Sequence, residues 1–273
     1  MELNYISDLH PRRKNWIIQA KVLSTWVLCE FFTKKVLLLA DEKGDTIEAT
    51  IVFTQFEYEI PRFIKDGEWY SLSDFKVIKP TLKERNTTHP YQIKVWEKTK
   101  MNLVQPITCK NYFRFEDFAD INHARVNDGV TFDVCGCIIE VSEIIEEVSV
   151  VPEDGRTNHC EGVVIKLLNG RNETLKCHAM GGYASYFMRM WKSKNYHLTF
   201  KSKPVFSVFR FWKIVELKGT PCIVNTYGSS RIYINPEFAG LKNHKAISEF
   251  AGRYHLNQQL KNQDESSSSK SIG

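Results

Sequence analysis

What most constrains this chain is a succession of short runs in which apolar and polar residues alternate, each run closed by a turn signal. Residues 16–23 (WIIQAKVL) alternate as a half-buried strand does, with every second side chain turned to one face. Residues 35–40 and 46–53 are β-rich runs flanking the turn 41–45 (DEKGD), a combination that predicts a hairpin. Residues 55–65 read as a short helical connection interrupted by Pro61. Residues 69–78 and 91–96 supply two more strands, separated by the loop 79–90.

The second half repeats that order. Residues 130–141 form a strand, an acidic loop spans 142–160, and 162–168 and 173–179 flank the turn Asn169-Gly170-Arg171. Residues 182–193 (GYASYFMRMWKS) place Tyr183, Phe187, Met190 and Trp191 at helical spacing, as a helix plugging a barrel would. Residues 195–200 and 204–217 are strand-like, and Lys218-Gly219 turns into a last strand at 221–226. Five short strands with a helix between the third and fourth is the order of the OB barrel. The expected fold is all-β: two tandem five-stranded OB barrels at 1–106 and 107–240, a short helix at 241–256, and a disordered Gln/Asn/Ser/Lys-rich tail at 257–273.

No run is long enough for a transmembrane helix, and the N-terminus lacks a basic segment followed by an apolar one, so an intracellular setting is expected. Seven cysteines, an odd number, then argue for reduced thiols. Net charge is only +5, but it is polarised. Residues 116–154 carry eleven carboxylates against Arg125, whereas 156–218 carry twelve cations against Glu161, Glu173 and Glu216. Such a domain can turn a basic face to an anion, or simply solvate charge on two sides.

Several segments carry a family resemblance. Leu9-His10-Pro11 with residues 15–22 (NWIIQAKV), Asp41-Glu42-Lys43-Gly44, Ile47-Glu48-Ala49-Thr50 and His89-Pro90-Tyr91 resemble the first DNA-binding OB domain of plant large-subunit-like replication protein A. Tyr112-Phe113-Arg114-Phe115 and residues 228–236 (GSSRIYINP) resemble the entry and close of its second. The likeness extends from Leu3 to Tyr254. Counterparts of that family's N-terminal interaction domain and zinc-bearing C-terminal barrel are not expected, leaving the central DNA-binding pair. The resemblance implies sequence-tolerant binding of single-stranded DNA, in replication, recombination or repair, in the nucleus. No import cluster beyond Arg12-Arg13-Lys14 supports that location.

In that family each barrel offers bases two aromatic platforms, one late on the third strand and one near the hairpin joining the last two. Carried onto this chain, those positions fall at Val52 beside Phe53, within residues 84–86, at Met180 and at Leu217, with Glu48 where a cation is expected. Met and Leu offer a base less area and no quadrupole, so weaker affinity than the family norm is expected. Strand alternation sets Lys176, His178 and Met180 on one face, and Phe211, Lys213, Val215 and Leu217 on another, opposite Arg210, Trp212 and Ile214. Trp26 is placed where the first inter-strand loop would reach DNA, unless it is a core or rim aromatic. The same choice stands for Phe211. Lys21, Lys76 and Arg231 complete the expected nucleic-acid-binding set.

Other chemistries find less support. Cys135-Gly136-Cys137 puts two thiols on one strand face without the turn a zinc site prefers, so neither metal nor cofactor is expected. No P-loop, nucleophile elbow or dinucleotide fingerprint is present, and no enzyme or small-molecule substrate is expected. The chief alternative is a protein-interaction module that has lost its stacking platforms. Single-stranded RNA suits the same groove chemistry.

Overall fold

The structure, a computed structural model, describes residues 3–29, 33–52, 63–82, 85–150, 157–238 and 244–268. The first barrel comprises β1 (Ile17–Cys29), β2 (Thr33–Ala40), β3 (Thr46–Val52), β4 (Trp69–Ser73), β5 (Lys76–Ile78), β6 (Gln92–Val95) and β7 (Lys100–Val104). A left-handed residue, Asp74 (φ 56°), separates β4 from β5, so the two are halves of one bent strand. β4 pairs with β1 while β5 pairs with β6, and β6 runs parallel to β3. The ring β1-β2-β3-β6-β5/β4 therefore closes, as an OB barrel requires. Period-two alternation drives Ile18, Ala20, Val22, Leu37, Leu39, Ile47, Ala49 and Ile51 into its core.

After α1 (Phe118–Asn122), the second barrel comprises β8 (Phe132–Val141), β9 (Ile145–Val150), β10 (Thr157–Leu168), β11 (Thr174–Met180), α2 (Gly182–Ser193), α3 (Tyr196–Thr199), β12 (Val205–Leu217), β13 (Thr220–Asn225) and β14 (Arg231–Ile234). β8 pairs with β10 and β12, β10 with β11, and β13 bridges β11 and β12, which closes a second ring. The two-barrel, all-β expectation is met. β8 and β10 approach closely at Gly136, where a Cβ would lie 2.8 Å from the Leu168 carbonyl oxygen. In α2, Ala184, Phe187, Met188 and Trp191 are buried against the barrel, with Tyr183 and Met190 partly so.

Several local expectations change. The acidic stretch 142–160 is not all loop: β9 and the start of β10 extend the sheet as a hairpin. Within 195–200, expected as a strand, Tyr196–Thr199 fold as α3, capped at its start by left-handed Asn195 (φ 55°). α4 (His244–Ser268) runs well past the expected end at 256, so 257–268 are helical and not a disordered tail. No Pro or Gly interrupts residues 253–268, and Leu, Gln, Lys and Glu tolerate helix. α4 is held by Ile247, Phe250, Ala251 and Tyr254 against the outer side of β8 and β12. The expected helical connection 55–65 lies largely outside the described residues.

Candidate nucleic-acid interface

An OB barrel receives single strands on the outer face of its second and third strands. In the first barrel that face is covered by protein. Val36, Leu38 and Ala40 turn outward from β2, yet pack with Leu23, Trp26 and Phe211 in a cluster shared between the barrels. Phe211 reaches them because β12 bulges. Its φ is 59°, and the register to β8 slips between Phe209 and Trp212. Phe209 and Trp212 consequently both enter the second core, while Arg210 and Phe211 both face away from it. Strict alternation along this strand, which set Phe211 against Arg210, fails at the bulge.

The loop after β5 completes the cover. Glu48, on the outer face of β3, is fully buried. Its carboxylate accepts hydrogen bonds from Arg85 Nε (2.7 Å), the Asn86 backbone N–H (2.8 Å) and Asn86 Nδ2 (3.1 Å). Asn86 Oδ1 in turn accepts from Thr131 Oγ1 and Ser229 Oγ of the second barrel, each at 3.0 Å. The glutamate that would repel phosphate is therefore an internal anchor, and the loop it holds stitches one barrel to the other. Beside it, Asp133 accepts from the backbone N–H groups of Arg114 (2.8 Å) and Phe211 (3.1 Å). Burial pushes its carboxyl up to about 6, against the opposing pull of the Arg210 guanidinium.

Four expected nucleic-acid contacts are thus placed elsewhere. Lys21 is buried and donates from Nζ to the Lys110 carbonyl at 2.7 Å; burial, then the nearby Arg210, hold its ammonium below the usual value. Trp26 and Phe211 meet in the inter-barrel cluster, and Trp26 leans on Gly228, where a Cβ would sit 3.0 Å from it. Arg231 donates from Nη1 to the carbonyls of Gly228, Ser229 and Ser230, and from Nη2 to that of Thr25 in β1. These are the long amphipathic side chains that a buried junction with many backbone carbonyls recruits. Phe53 lies outside the described residues.

The second barrel presents a different face. Along β11 the side chains alternate as the sequence predicts. Leu175, Cys177 and Ala179 are buried; Lys176 is exposed, and His178 and Met180 are half-buried on the outer side. Val224 of β13 is registered with both His178 and Lys213, so His178, Val224 and Lys213 form one row across three strands, about 10 Å from end to end. Leu217 closes this face at the β12–β13 hairpin, opposite Thr220. On the other side of β11, Lys166 stands directly opposite Lys176 and lies 3.7 Å from Glu140. Lys166 was not among the expected contacts; its place beside Lys176 follows from the β10–β11 pairing, which sequence spacing does not reveal. Asn225 Oδ1 accepts from the Met180 backbone N–H at 2.7 Å, fixing the end of β11. Lys76 stands apart on the first barrel, exposed, with Nζ 3.7 Å from the centre of the Trp96 ring.

The fold and this face define a class: a chain of two docked OB barrels with a basic, partly apolar strand face on the second. A family described as a domain of unknown function, DUF223, matches residues 7–124, which contain the first barrel and α1. The chain is similar in fold to a solved replication protein A heterotrimer bound to single-stranded DNA, with a TM-score of 0.61 and 17% identity over 93% of this chain and 56% of that one. It therefore spans little more than half of that chain's length. DNA-binding domain A of Saccharomyces cerevisiae replication protein A matches 39% of this chain and 96% of its own, at 20% identity and a TM-score of 0.30. Fission yeast Pot1 with single-stranded DNA matches 94% of each chain, at 9% identity and a TM-score of 0.39. No curated protein sequence matches.

Proposed function

We propose that this protein binds single-stranded DNA, sequence-tolerantly and without catalysis, on the outer face of its second barrel. The observation that carries the reading is Lys176, His178 and Met180 on β11, the third strand of its barrel and so part of the face that OB barrels offer to single strands, with Lys213 of β12 reached across β13. Lysines there neutralise phosphates, and Met180 and Leu217 give bases apolar contact. The fold shared with the DNA-bound replication protein A chain supports the same reading. Replication, recombination or repair in the nucleus is the setting we propose, with single-stranded RNA as a possible competitor for the same groove.

Fluorescence anisotropy with a labelled thirty-nucleotide oligo-dT, at low and moderate salt and with duplex and RNA competitors, tests this. Preferential binding of the single strand that weakens with salt is expected, because phosphate contacts release counterions. Absence of binding at low salt would sink the proposal. One observation favours a second reading, an OB module for protein contacts: the first barrel already spends its outer face on another protein surface, the second barrel.

A further inference from the structure

Of the six tryptophans, Trp16, Trp26, Trp69, Trp191 and Trp212 are buried, and Trp96 alone is half-exposed. It sits just after β6, on the side of the first barrel formed by the β4–β5 bend, the β6–β7 turn and the segment leading into β1. Its Nε1 donates to the Asp74 carbonyl at 2.5 Å, which fixes the indole at the surface. Lys76 Nζ lies 3.7 Å and Lys98 Nζ 5.4 Å from its ring centre. Arg13, Lys14 and Lys100 line the same hollow, and all five cations are exposed. Among the described residues none of the five forms an ion pair, although the carboxylates of Asp74 and Glu97 also border the hollow.

A second feature points to an anion. Lys76 and Lys94 stand directly opposite each other in the β5–β6 ladder, both exposed. Like charges in register across two strands destabilise a sheet, and a polyanion lying over the pair removes that repulsion. Lys76, opposite Lys94, also reaches the Trp96 ring, which links the lysine pair to the indole. Cations flanking an ordered indole are the pairing by which single strands are held without regard to sequence, phosphate on lysine and base on ring.

We infer that this hollow is a second contact surface for the same single strand, on the first barrel but away from its covered outer face. The inference rests on the single-stranded DNA reading above, which it deepens by giving the first barrel a place on the strand. A ligand long enough to touch both barrels then binds through β11 and through Trp96.

The test uses the full chain, oligo-dT and two readouts. Tryptophan emission should be quenched on titration, since Trp96 is the one indole a base can reach, and the quenching should vanish in Trp96→Leu. Affinity in Trp96→Leu should fall roughly tenfold, in line with the loss of one stacked base. The double variant Lys76→Gln/Lys98→Gln leaves the indole in place and should reduce the slope of log K against log salt by about 1.4, the value for two phosphate contacts on a single strand. Lys176→Glu should weaken binding while keeping the quenching. Wild-type affinity and salt slope in both Trp96→Leu and the lysine double variant would overturn this inference and leave the second-barrel reading standing. Failure of the unaltered protein to bind oligo-dT would remove both. Equal quenching by heparin and oligo-dT, with no loss of affinity in Trp96→Leu, would mark a general polyanion patch and also overturn it.

Discussion

At the scale of single residues, Met180 and Asp133 show how position sets the role of a side chain. Met180 ends β11 half-buried on the outer face, where a flat ring would give a base far more contact than a thioether. Met180→Trp should therefore raise affinity for oligo-dT roughly tenfold, measured by anisotropy, since stacking contributes about 1–3 kcal/mol per base. Asp133 is a carboxylate placed where ionisation is costly. Its folded value is pushed up to about 6 from 3.8, so between those pH values the native state holds more protons than the unfolded chain. Its contribution to stability is fully present below about pH 4 and is lost as pH rises through about 6. Asp133→Asn should flatten that part of the stability–pH curve in urea titrations. At neutral pH it should still cost about 1–3 kcal/mol, because one amide oxygen replaces two carboxylate oxygens that accept from Arg114 and Phe211.

At the scale of elements, the loop between β5 and β6 gives the clearest case of structure decided by one buried anion. Glu48 accepts from Arg85 Nε and from two donors of Asn86. Glu48→Gln leaves the Arg85 guanidinium without a charge partner and should destabilise the protein by about 3 kcal/mol, seen as a lower midpoint in chemical denaturation. An unchanged midpoint would mean that the loop is not anchored there. Strand identity was legible wherever alternation ran unbroken, as in β3 and β11. It was not legible in 142–160, where charge density suggested a loop, because the pairing of β9 with the start of β10 is a partnership between two runs that local sequence does not announce. β12 was legible as a strand and in its facing from Phe211 onward, with Trp212 and Ile214 in the core; the bulge at Phe211 turned Arg210 to the other side from the one alternation gave it.

At the scale of the molecule, the barrels are docked rather than strung on a linker. Phe211, Trp26, Val36 and Leu38 form an apolar centre, ringed by Asn86, Thr131, Ser229 and the Arg231 contact to Thr25. Burial of this kind couples the units, so differential scanning calorimetry should show one transition for both barrels. Phe211→Ala, which removes about 3–5 kcal/mol of buried contact at the junction, should split it into two. Two transitions in the unaltered protein would show the barrels to be thermally independent. Docking also commits the outer face of β2 in the first barrel, where Val36, Leu38 and Ala40 pack against Phe211 of the second.

The amino-acid sequence by itself determined the two barrels, their strand order and the outer face of β11, because period-two alternation and turn residues act over a few neighbours and need no partner to be read. It also placed Lys176, His178 and Met180 together. Which exposed-looking aromatics and cations remain free was decided only by tertiary structure. Lys21, Trp26, Phe211 and Arg231 have the chemistry of nucleic-acid contacts, yet each is drawn into the junction between barrels. Burying an apolar face and satisfying the carbonyls around it depends on which surfaces meet, and residues some two hundred positions apart, such as Thr25 and Arg231, settle that only when the chain is folded.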